Sequence, residues 1–295
     1  MVETLGNAFR DQIKKAMAVT KAPTVITEDN VFQEGDSRIM PLLDEMVESL
    51  ILSGSGIDGL ENIEELFAKA KAGKSCLLMV EHYSNMDLSI LFTLLRKAGG
   101  RGNEISNSII AVAGMKLNED NPIVAAFAGA YTRIVIYPSR TVQDLDPEKD
   151  KAEITRSNAI NRAAMKALVR HKYKGNLILI FPSGTRYRAW DPETKKGVRE
   201  VDSYIRSFDY MCFVALNGEV LHVQKTDMLN DAVSKDVVRV TVSPVVSCNE
   251  FRENARAAVS DEEDKKQAVA DAIMNELEKM HITAEEKRKK LLETN

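Results

Sequence analysis

The stretch EHYSNMD, residues 81–87, contains a histidine and an aspartate that lie five positions apart. It directly follows the apolar run Cys76–Val80. A spacing of five puts two side chains far apart around a helix and on opposite faces of a strand. His82 and Asp87 can therefore meet only if the chain turns between them.

The residues after the histidine are suited to such a turn. Ser84 or Asn85 is a good N-cap, and residues 88–94 begin an apolar pattern at helical spacing. We therefore expect strand, tight turn and helix, with His82 at the sheet edge and Asp87 in the first helical turn. An aspartate in that position can hydrogen-bond one imidazole nitrogen, fix the tautomer and leave the other nitrogen as a general base.

A second stretch that could do chemistry follows the apolar strand candidate Asn176–Phe181. It reads Pro-Ser-Gly-Thr-Arg-Tyr-Arg over residues 182–188. Arg186 and Arg188 alternate with Tyr187, so in an extended segment both guanidinium groups point the same way. Two such forks can clamp a phosphate. A surface loop with solvated arginines is the alternative interpretation of this stretch taken alone.

The composition limits the class of protein. The chain has 295 residues, 44% of them apolar, which suffices for one large domain or for a domain with a small accessory region. A net charge of −4 with a pI near 5.8 gives no basic field for nucleic acid. Uncharged runs such as residues 121–132 fall short of the roughly 20 residues that cross a bilayer, and we expect no signal peptide.

Cysteine usage favours a reducing compartment. Cys76, Cys212 and Cys248 lie in apolar or strand-like contexts without a pairing pattern. We expect reduced, buried thiols and a cytoplasmic location. Met and Leu stripes on the N-terminal helices favour packing against the main domain, with docking to a membrane or to a partner as the alternative.

Hydrophobic periodicity predicts alternating elements. The predicted helices cover residues 3–19, 41–52, 60–71, 85–98, 121–129, 151–172 and 261–280. The predicted strands cover residues 75–81, 108–114, 133–137, 175–181, 211–216, 220–225 and 237–245. This alternation is typical of an α/β fold with a mixed, largely parallel central sheet flanked by helices. We expect a small N-terminal helical region over residues 1–55 and an α/β domain over residues 56–295.

The connections carry their own signals. Residues 22–37 are predicted to be a linker and residues 54–59 a turn. Residues 183–210 form a long polar loop, of a length that is usually functional or disordered. Asn217-Gly218 predicts a hairpin between the two strands that flank it.

The two motifs together resemble the glycerolipid acyltransferase superfamily. They read His82-Tyr-Ser-Asn-Met-Asp87 and, about a hundred residues later, Phe181-Pro-Ser-Gly-Thr-Arg186. Within the superfamily the chain is most similar to the soluble, chloroplast-type glycerol-3-phosphate 1-acyltransferases. That similarity depends on Pro-Ser-Gly at residues 182–184, Arg-Tyr-Arg at 186–188 and Asp-Pro-Glu-Thr-Lys-Lys-Gly at 191–197. The resemblance extends from about residue 59 to residue 216.

This resemblance implies an activity. A fatty acyl group passes from an acyl-CoA or acyl-carrier-protein thioester to the 1-hydroxyl of glycerol 3-phosphate, the first step of phospholipid synthesis. His82 is then the general base and Asp87 orients it. The resemblance implies no metal and no redox cofactor.

The remaining implied site residues bind substrate. Arg186, Arg188 and Arg140 would hold the phosphate, and Lys116 is a further candidate. Ser183 and Gly184 belong to the second motif and complete the implied substrate-binding set. Backbone N–H groups near residues 83–85 or Gly184 are expected to stabilise the oxyanion.

The chain departs from the superfamily pattern at two places. Glu81 precedes His82 where the family commonly has asparagine, and a carboxylate there could shift the pKa of the histidine. Related plant enzymes have a basic pair after the middle strand, whereas residues 136–141 here contain the single basic residue Arg140. Three candidate arginines therefore remain for the phosphate.

Two competing motifs and three further histidines need weighing. Residues 54–59 match the glycine spacing of a dinucleotide-binding loop, but residues 41–52 have helical spacing where a strand is required. Cys76 could pair with His82 as a nucleophile, although its place in an apolar strand favours a core residue. We expect His171 at a helix end, His222 in a strand and His281 on the surface, without metal-binding spacing.

Two other functions remain open. Acylation of 1-acylglycerol 3-phosphate at its second hydroxyl uses the same motifs and the same phosphate. A non-catalytic lipid- or nucleotide-binding α/β protein would need both motifs to be coincidental or vestigial.

Overall fold

A computed structural model describes residues 3–119, 121–143 and 145–293 of the chain. The helices in this part of the chain are α1 (Leu5–Ala8), α2 (Arg10–Val19), α3 (Met40–Leu50), α4 (Leu60–Lys71), α5 (Asp87–Lys97), α6 (Gly102–Ser108), α7 (Lys116–Glu119), α8 (Pro122–Ala128), α9 (Ser139–Gln143), α10 (Lys151–His171), α11 (Val201–Arg206), α12 (Cys248–Ala257) and α13 (Lys265–Leu292). Short 3-10 turns cover Pro192–Lys195 and Met228–Asn230.

The strands are β1 (Phe32–Gln33), β2 (Gly56–Asp58), β3 (Cys76–Val80), β4 (Ile109–Gly114), β5 (Arg133–Ile136), β6 (Leu177–Ile180), β7 (Tyr210–Asn217), β8 (Leu221–His222), β9 (Ala232–Val233), β10 (Arg239–Val242) and β11 (Val246–Ser247). The main sheet has the order β1-β5-β4-β6-β3-β7-β10-β2, with β11 paired to β7. Strands β5, β4, β6, β3 and β7 run parallel to one another. Strand β1 pairs antiparallel with β5, and β10 and β11 pair antiparallel with β7. The predicted mixed, largely parallel sheet flanked by helices is confirmed.

The centre of the sheet is buried on both faces, as its uninterrupted apolar strands require. In β3, Leu78 and Val80 belong to the core beneath α3, α4 and α5, whereas Leu77 and Met79 belong to the opposite core with α10 and α13. Helices α1, α2 and α3 bury their apolar stripes in the first of these cores. The boundary expected between residues 55 and 56 stays a prediction.

Several short elements escaped the sequence patterns. Strand β1 lies in the predicted linker, and β2 lies in the predicted turn and pairs in parallel with β10. Both strands are edge pairings of two or three residues, too short for a periodic signal. Helices α6 and α12 were not predicted, and the predicted loop 183–210 contains α11 and a 3-10 turn.

The predicted hairpin at Asn217-Gly218 is wrong. Gly218 does make a turn, with φ of 97°, but the chain then leaves the main sheet. Strand β8 pairs with β9 in a separate two-stranded sheet, and β10 takes the place next to β7, with Arg239 opposite Asn217. A glycine in a turn allows the chain to reverse, but the pairing of strands in the sheet decides which strand lies next to β7.

None of the helices in the described part of the chain combines the length with the apolar composition needed to cross a bilayer. The longest described helix, α13, extends beyond the predicted end at residue 280 to Leu292. It packs along β7 and carries its buried side chains Val269, Ile273 and Leu277 on one stripe.

Candidate active site

The turn between β3 and α5 brings His82 and Asp87 together. His82 Nδ1 lies 2.8 Å from Asp87 Oδ2, and the two side chains are 19% and 5% exposed. Helix α5 begins at Asp87 itself, so the expected N-cap at Ser84 or Asn85 is wrong. The Ser84 hydroxyl instead accepts the N–H of Met86 and donates to Asp87 Oδ1.

The carboxylate of Asp87 is held in place by the turn around it. Its oxygens accept the N–H of Tyr83 at 2.6 Å and the N–H of Ser84 at 3.0 Å, in addition to the imidazole. The position at the first residue of α5 adds the favourable field of a helix N-terminus. Since a carboxylate only accepts, Nδ1 of His82 carries the proton and Nε2 presents its lone pair.

The second motif packs directly against the first. Strand β6 pairs in parallel with β3, with Met79 opposite Ile180, so both strands end at the same edge of the sheet. The ring of Phe181 stacks on His82 with centroids 3.9 Å apart, and the N–H of Tyr187 donates to His82 O at 2.8 Å. The imidazole is thereby fixed through one nitrogen and one face.

The geometry now allows comparison with known proteins. A model of the family described as "Acyltransferase" matches residues 56–247, which is more than half of the chain and includes both motifs. The chain belongs to the acyltransferase family. The resemblance seen in the two motifs is thereby confirmed at the level of the family.

Two further comparisons complete this picture. Among solved structures, this acyltransferase is similar to the 1-acyl-sn-glycerophosphate (LPA) acyltransferase PlsC of Thermotoga maritima, with 14% identity, a TM-score of 0.43, and coverage of 82% of this chain and 81% of that one. A likeness at that level does not identify the acceptor. A search of curated proteins found no match.

Arg186 lies close enough to the His82–Asp87 pair for the charge of Asp87 to act on its guanidinium. Its side chain is 25% exposed, and Nη1 lies 4.0 Å from Asp231 Oδ2. Burial and the like charge of Arg188 lower the pKa of Arg186, whereas the charges of Asp231 and Asp87 oppose that shift. A cation that is partly desolvated and only loosely paired can bind an anion strongly.

Asp231 is an acid that the sequence gave no reason to place here. It follows the 3-10 turn before β9, and burial raises the pKa of its carboxyl. Oδ1 accepts the N–H of Gln224 at 2.8 Å, whereas Oδ2, on the side of Arg186, has no hydrogen-bond partner among the described residues. Any anion held by Arg186 must tolerate this neighbour.

The other predicted substrate-binding residues with basic side chains are Arg140, Lys116 and Arg188. Arg140 Nη2 lies 3.4 Å from both Ser183 O and Lys196 O, so its guanidinium is beside the second motif. Lys116 begins α7 after β4, at the same edge of the sheet, with an exposed side chain. Arg188 is half-buried, and its N–H donates to the Thr194 hydroxyl.

The expected oxyanion donors are engaged elsewhere. The N–H groups of Tyr83 and Ser84 donate to Asp87, and that of Gly184 donates to Phe181 O at 2.9 Å. Gly184 has φ of 66°, and a side chain there would be strained and would crowd Val198. The expectation for those three N–H groups is therefore wrong.

Two polar side chains of the motifs differ in whether they form a hydrogen bond. The buried hydroxyl of Ser183 donates to Thr185 O at 2.7 Å. Nδ2 of Asn85 is buried without a hydrogen-bond partner among the described residues. The Asn85 amide is thus a donor of the His82 turn that remains available.

The competing motifs do not form sites. Residues 40–50 are the helix α3, so the glycines at 54–59 lack the preceding strand of a dinucleotide loop. All three cysteines are free and buried, as predicted. His171 ends α10 and His222 lies in β8. His281, expected on the surface, is only partly exposed, and its Nδ1 lies 3.0 Å from Glu81 Oε2.

A Cys76 substitution tests the nucleophile alternative. Burial and the charge of Asp209 raise the pKa of the Cys76 thiol to about 12, so it stays protonated at neutral pH. We expect Cys76→Ala to keep kcat within about twofold and the native protein to react slowly with a thiol reagent. The same reagent should label all three cysteines in guanidinium. A large loss of kcat in a folded Cys76→Ala protein would revive the nucleophile.

Proposed function

We propose that the protein transfers a fatty acyl group from an acyl thioester to the 1-hydroxyl of glycerol 3-phosphate. The proposal depends on the groups that lie together at one edge of the sheet. There, a His82–Asp87 pair with a free imidazole nitrogen adjoins a half-desolvated Arg186. A base beside an anion site suits an acceptor that carries both a hydroxyl and a phosphate.

In the proposed reaction, Nε2 of His82 takes the proton of the acceptor hydroxyl while that oxygen attacks the thioester carbonyl. The C–S bond then breaks, and the imidazolium returns its proton to the thiolate. Asp87 stabilises the imidazolium through Nδ1, an arrangement typically worth about 10² to 10⁴ in rate. No acyl-enzyme is required, because the acceptor attacks directly.

Binding groups orient the acceptor. Arg186, Arg188 and Arg140 hold the phosphate, with Lys116, Ser183 and Gly184 as the further binding residues of the motifs. Fixing the hydroxyl beside a base can supply several kcal/mol. The amide Nδ2 of Asn85 is our candidate for a hydrogen bond to the oxyanion, since preorganised donors are the usual device for that charge.

The donor is an acyl-CoA or an acyl-carrier-protein thioester. We further propose a cytoplasmic protein that meets the membrane peripherally, since its product belongs in a bilayer. These assignments derive from the family resemblance, and each donor is an arm of the test below.

A thiol-release assay tests the proposed function. Each donor is offered with glycerol 3-phosphate, with 1-acylglycerol 3-phosphate and with glycerol, and free thiol and acylated product are measured. We expect the highest kcat/KM with glycerol 3-phosphate. A higher value with 1-acylglycerol 3-phosphate, which presents the same phosphate and one free hydroxyl, would assign the second acylation instead. No thiol release with any acceptor would favour a non-catalytic binding protein.

Asp231 gives a prediction about the phosphate. Its carboxylate faces Arg186 and would repel a bound phosphate, so Asp231→Asn should lower KM for glycerol 3-phosphate. Because Asp231 is buried, the repulsion should exceed the roughly 1 kcal/mol between two charges about 4 Å apart in water, so KM should fall by at least about fivefold. The matched control is Glu219→Gln, an exposed acid of the same segment. A rise in KM would show instead that Asp231 orients Arg186.

A further inference from the structure

Glu81, Tyr83 and His281 form a cluster next to the His82 turn, here called the Glu81 cluster, in which Glu81 is buried and the other two side chains are partly buried. The Tyr83 hydroxyl donates to Glu81 Oε1 at 3.0 Å, and His281 Nδ1 lies 3.0 Å from Glu81 Oε2. The Tyr83 hydroxyl also lies 3.3 Å from His281 Nδ1. Tyr83 and His281, which are 198 positions apart in the chain, therefore share one carboxylate.

The charges of the cluster depend on one another. The side chain of Glu81 is 4% exposed, and such a carboxylate is costly to bury unless it is paired and hydrogen-bonded. It receives the N–H of Leu216 at 2.8 Å in addition to the two side chains. Burial opposes the charge of His281, but its hydrogen bond to Glu81 and the charges of Glu81 and Glu278 outweigh burial and Lys195, so the pKa of His281 is raised.

The cluster holds the backbone on both sides of His82. Glu81 and Tyr83 are its two chain neighbours, and their side chains are tied to each other and to α13. The main-chain N–H of Tyr83 donates to Asp87 Oδ2, the same oxygen that lies against His82 Nδ1. A shift of Tyr83 would therefore disturb the carboxylate that orients the imidazole.

The cluster is a feature of this chain beyond the family match. His281 lies in α13, outside residues 56–247. Glu81 stands where the superfamily commonly has asparagine, and it is directed at His281 and Tyr83. Within the described residues, the groups that face His281 are Glu81 and Tyr83 from the motif, Glu278 from its own helix and Lys195 from the 3-10 turn.

We propose that His281 is a positioning residue which, through Glu81 and Tyr83, holds the turn that carries the His82–Asp87 pair. The inference rests on the proposed function, in which His82 is the base. A fixed imidazole matters because small misplacements of a catalytic group cost rate without changing substrate affinity.

The cluster also predicts a pH dependence. A histidine whose folded pKa is raised contributes its pairing fully below its unfolded pKa and loses it as the pH rises through the folded pKa. We therefore expect a shallow decline of kcat on the alkaline side, where His281 loses its charge and its bond to Glu81 weakens.

The test compares His281→Phe, His281→Gln and Glu81→Gln in the full chain, with thiol release measured for whichever acceptor supports turnover. We expect His281→Phe to lower kcat about tenfold with KM within about twofold, and to abolish the alkaline decline. Because its amide can still donate to Glu81, His281→Gln should retain more activity than His281→Phe. Glu81→Gln should also lose the alkaline decline.

Arg288→Gln is the matched control on the same helix. Arg288 anchors α13 two turns beyond His281 through Val237 O and Asp236, without touching the cluster. We expect this variant to lower Tm while kcat and the pH profile stay as in the wild type. If kcat falls in proportion to Tm both in Arg288→Gln and in the His281 variants, His281 has only a structural role and the proposal is overturned.

The remaining outcomes separate the two proposals. Wild-type kcat and pH profile in the His281 variants, together with an inactive His82→Ala, would overturn the positioning role and leave the proposed function standing. An active His82→Ala would overturn the role of His82 as the base and with it the positioning role of His281. The absence of thiol release by the wild type with any acceptor would overturn the proposed function itself. If His281→Phe fails to fold, His281→Gln and Glu81→Gln carry the same comparison.

Discussion

His82→Ala should lower kcat by about 10² to 10⁴-fold while KM for glycerol 3-phosphate changes little, because the substitution removes the base and leaves the binding groups in place. Asp87 holds Nδ1 of the imidazole and Phe181 stacks on its face, so the position of the base is fixed. The measurement is thiol release at saturating acceptor, with KM determined separately.

His222→Ala is the matched histidine control. The side chain of His222 is 40% exposed, and its Nε2 lies 2.7 Å from the Ser234 hydroxyl. His222 does not contact the His82 turn. We expect its kcat to remain that of the wild type. Near-normal transfer by a folded His82→Ala protein would show that another group removes the proton, and the mechanism would have to be abandoned.

The second large effect concerns Arg186. Arg186→Ala should raise KM for glycerol 3-phosphate by roughly 10- to 100-fold with a much smaller change in kcat. This increase in KM corresponds to the usual free energy of a hydrogen bond to a charged group. The guanidinium is partly desolvated and only loosely paired with Asp231, so its interaction with a phosphate is weakly screened. KM for each acceptor is the quantity to measure.

Glycerol provides an internal reference for Arg186. It has the hydroxyls without the phosphate, so Arg186→Ala should leave its poor turnover unchanged and reduce the preference for glycerol 3-phosphate. The exposed Arg170 on α10 supplies a control, and Arg170→Ala should alter neither acceptor. An equal loss for both acceptors would mean that Arg186 supports the turn and does not bind the phosphate.

Much of the fold was accessible from local patterns. Strands β3, β4, β6 and β7 read as apolar runs because they are buried on both faces, and α4, α5 and α10 have the periodicity of half-buried helices. Elements without such a pattern were missed. Strands β1 and β2 exist because they pair at sheet edges, which no local signal announces.

The candidate site, like the fold, could be predicted only in part from the sequence. The spacing of His82 and Asp87 required a turn, and the structure contains one. The donors within that turn could not be assigned, because a backbone N–H can serve a carboxylate, a carbonyl or a substrate with equal ease. The structure gives the N–H groups of Tyr83 and Ser84 to Asp87.

By itself, the sequence determined the family, the layered α/β architecture and the two motifs, because each of these is written in neighbouring residues or in a simple period. Tertiary structure alone decided that Asp231 faces Arg186 and that His281 shares the carboxylate of Glu81. Those contacts join strand ends, a 3-10 turn and a terminal helix that meet only when the sheet is assembled. Burial then makes them matter, since a charge removed from water must find its partner inside the protein.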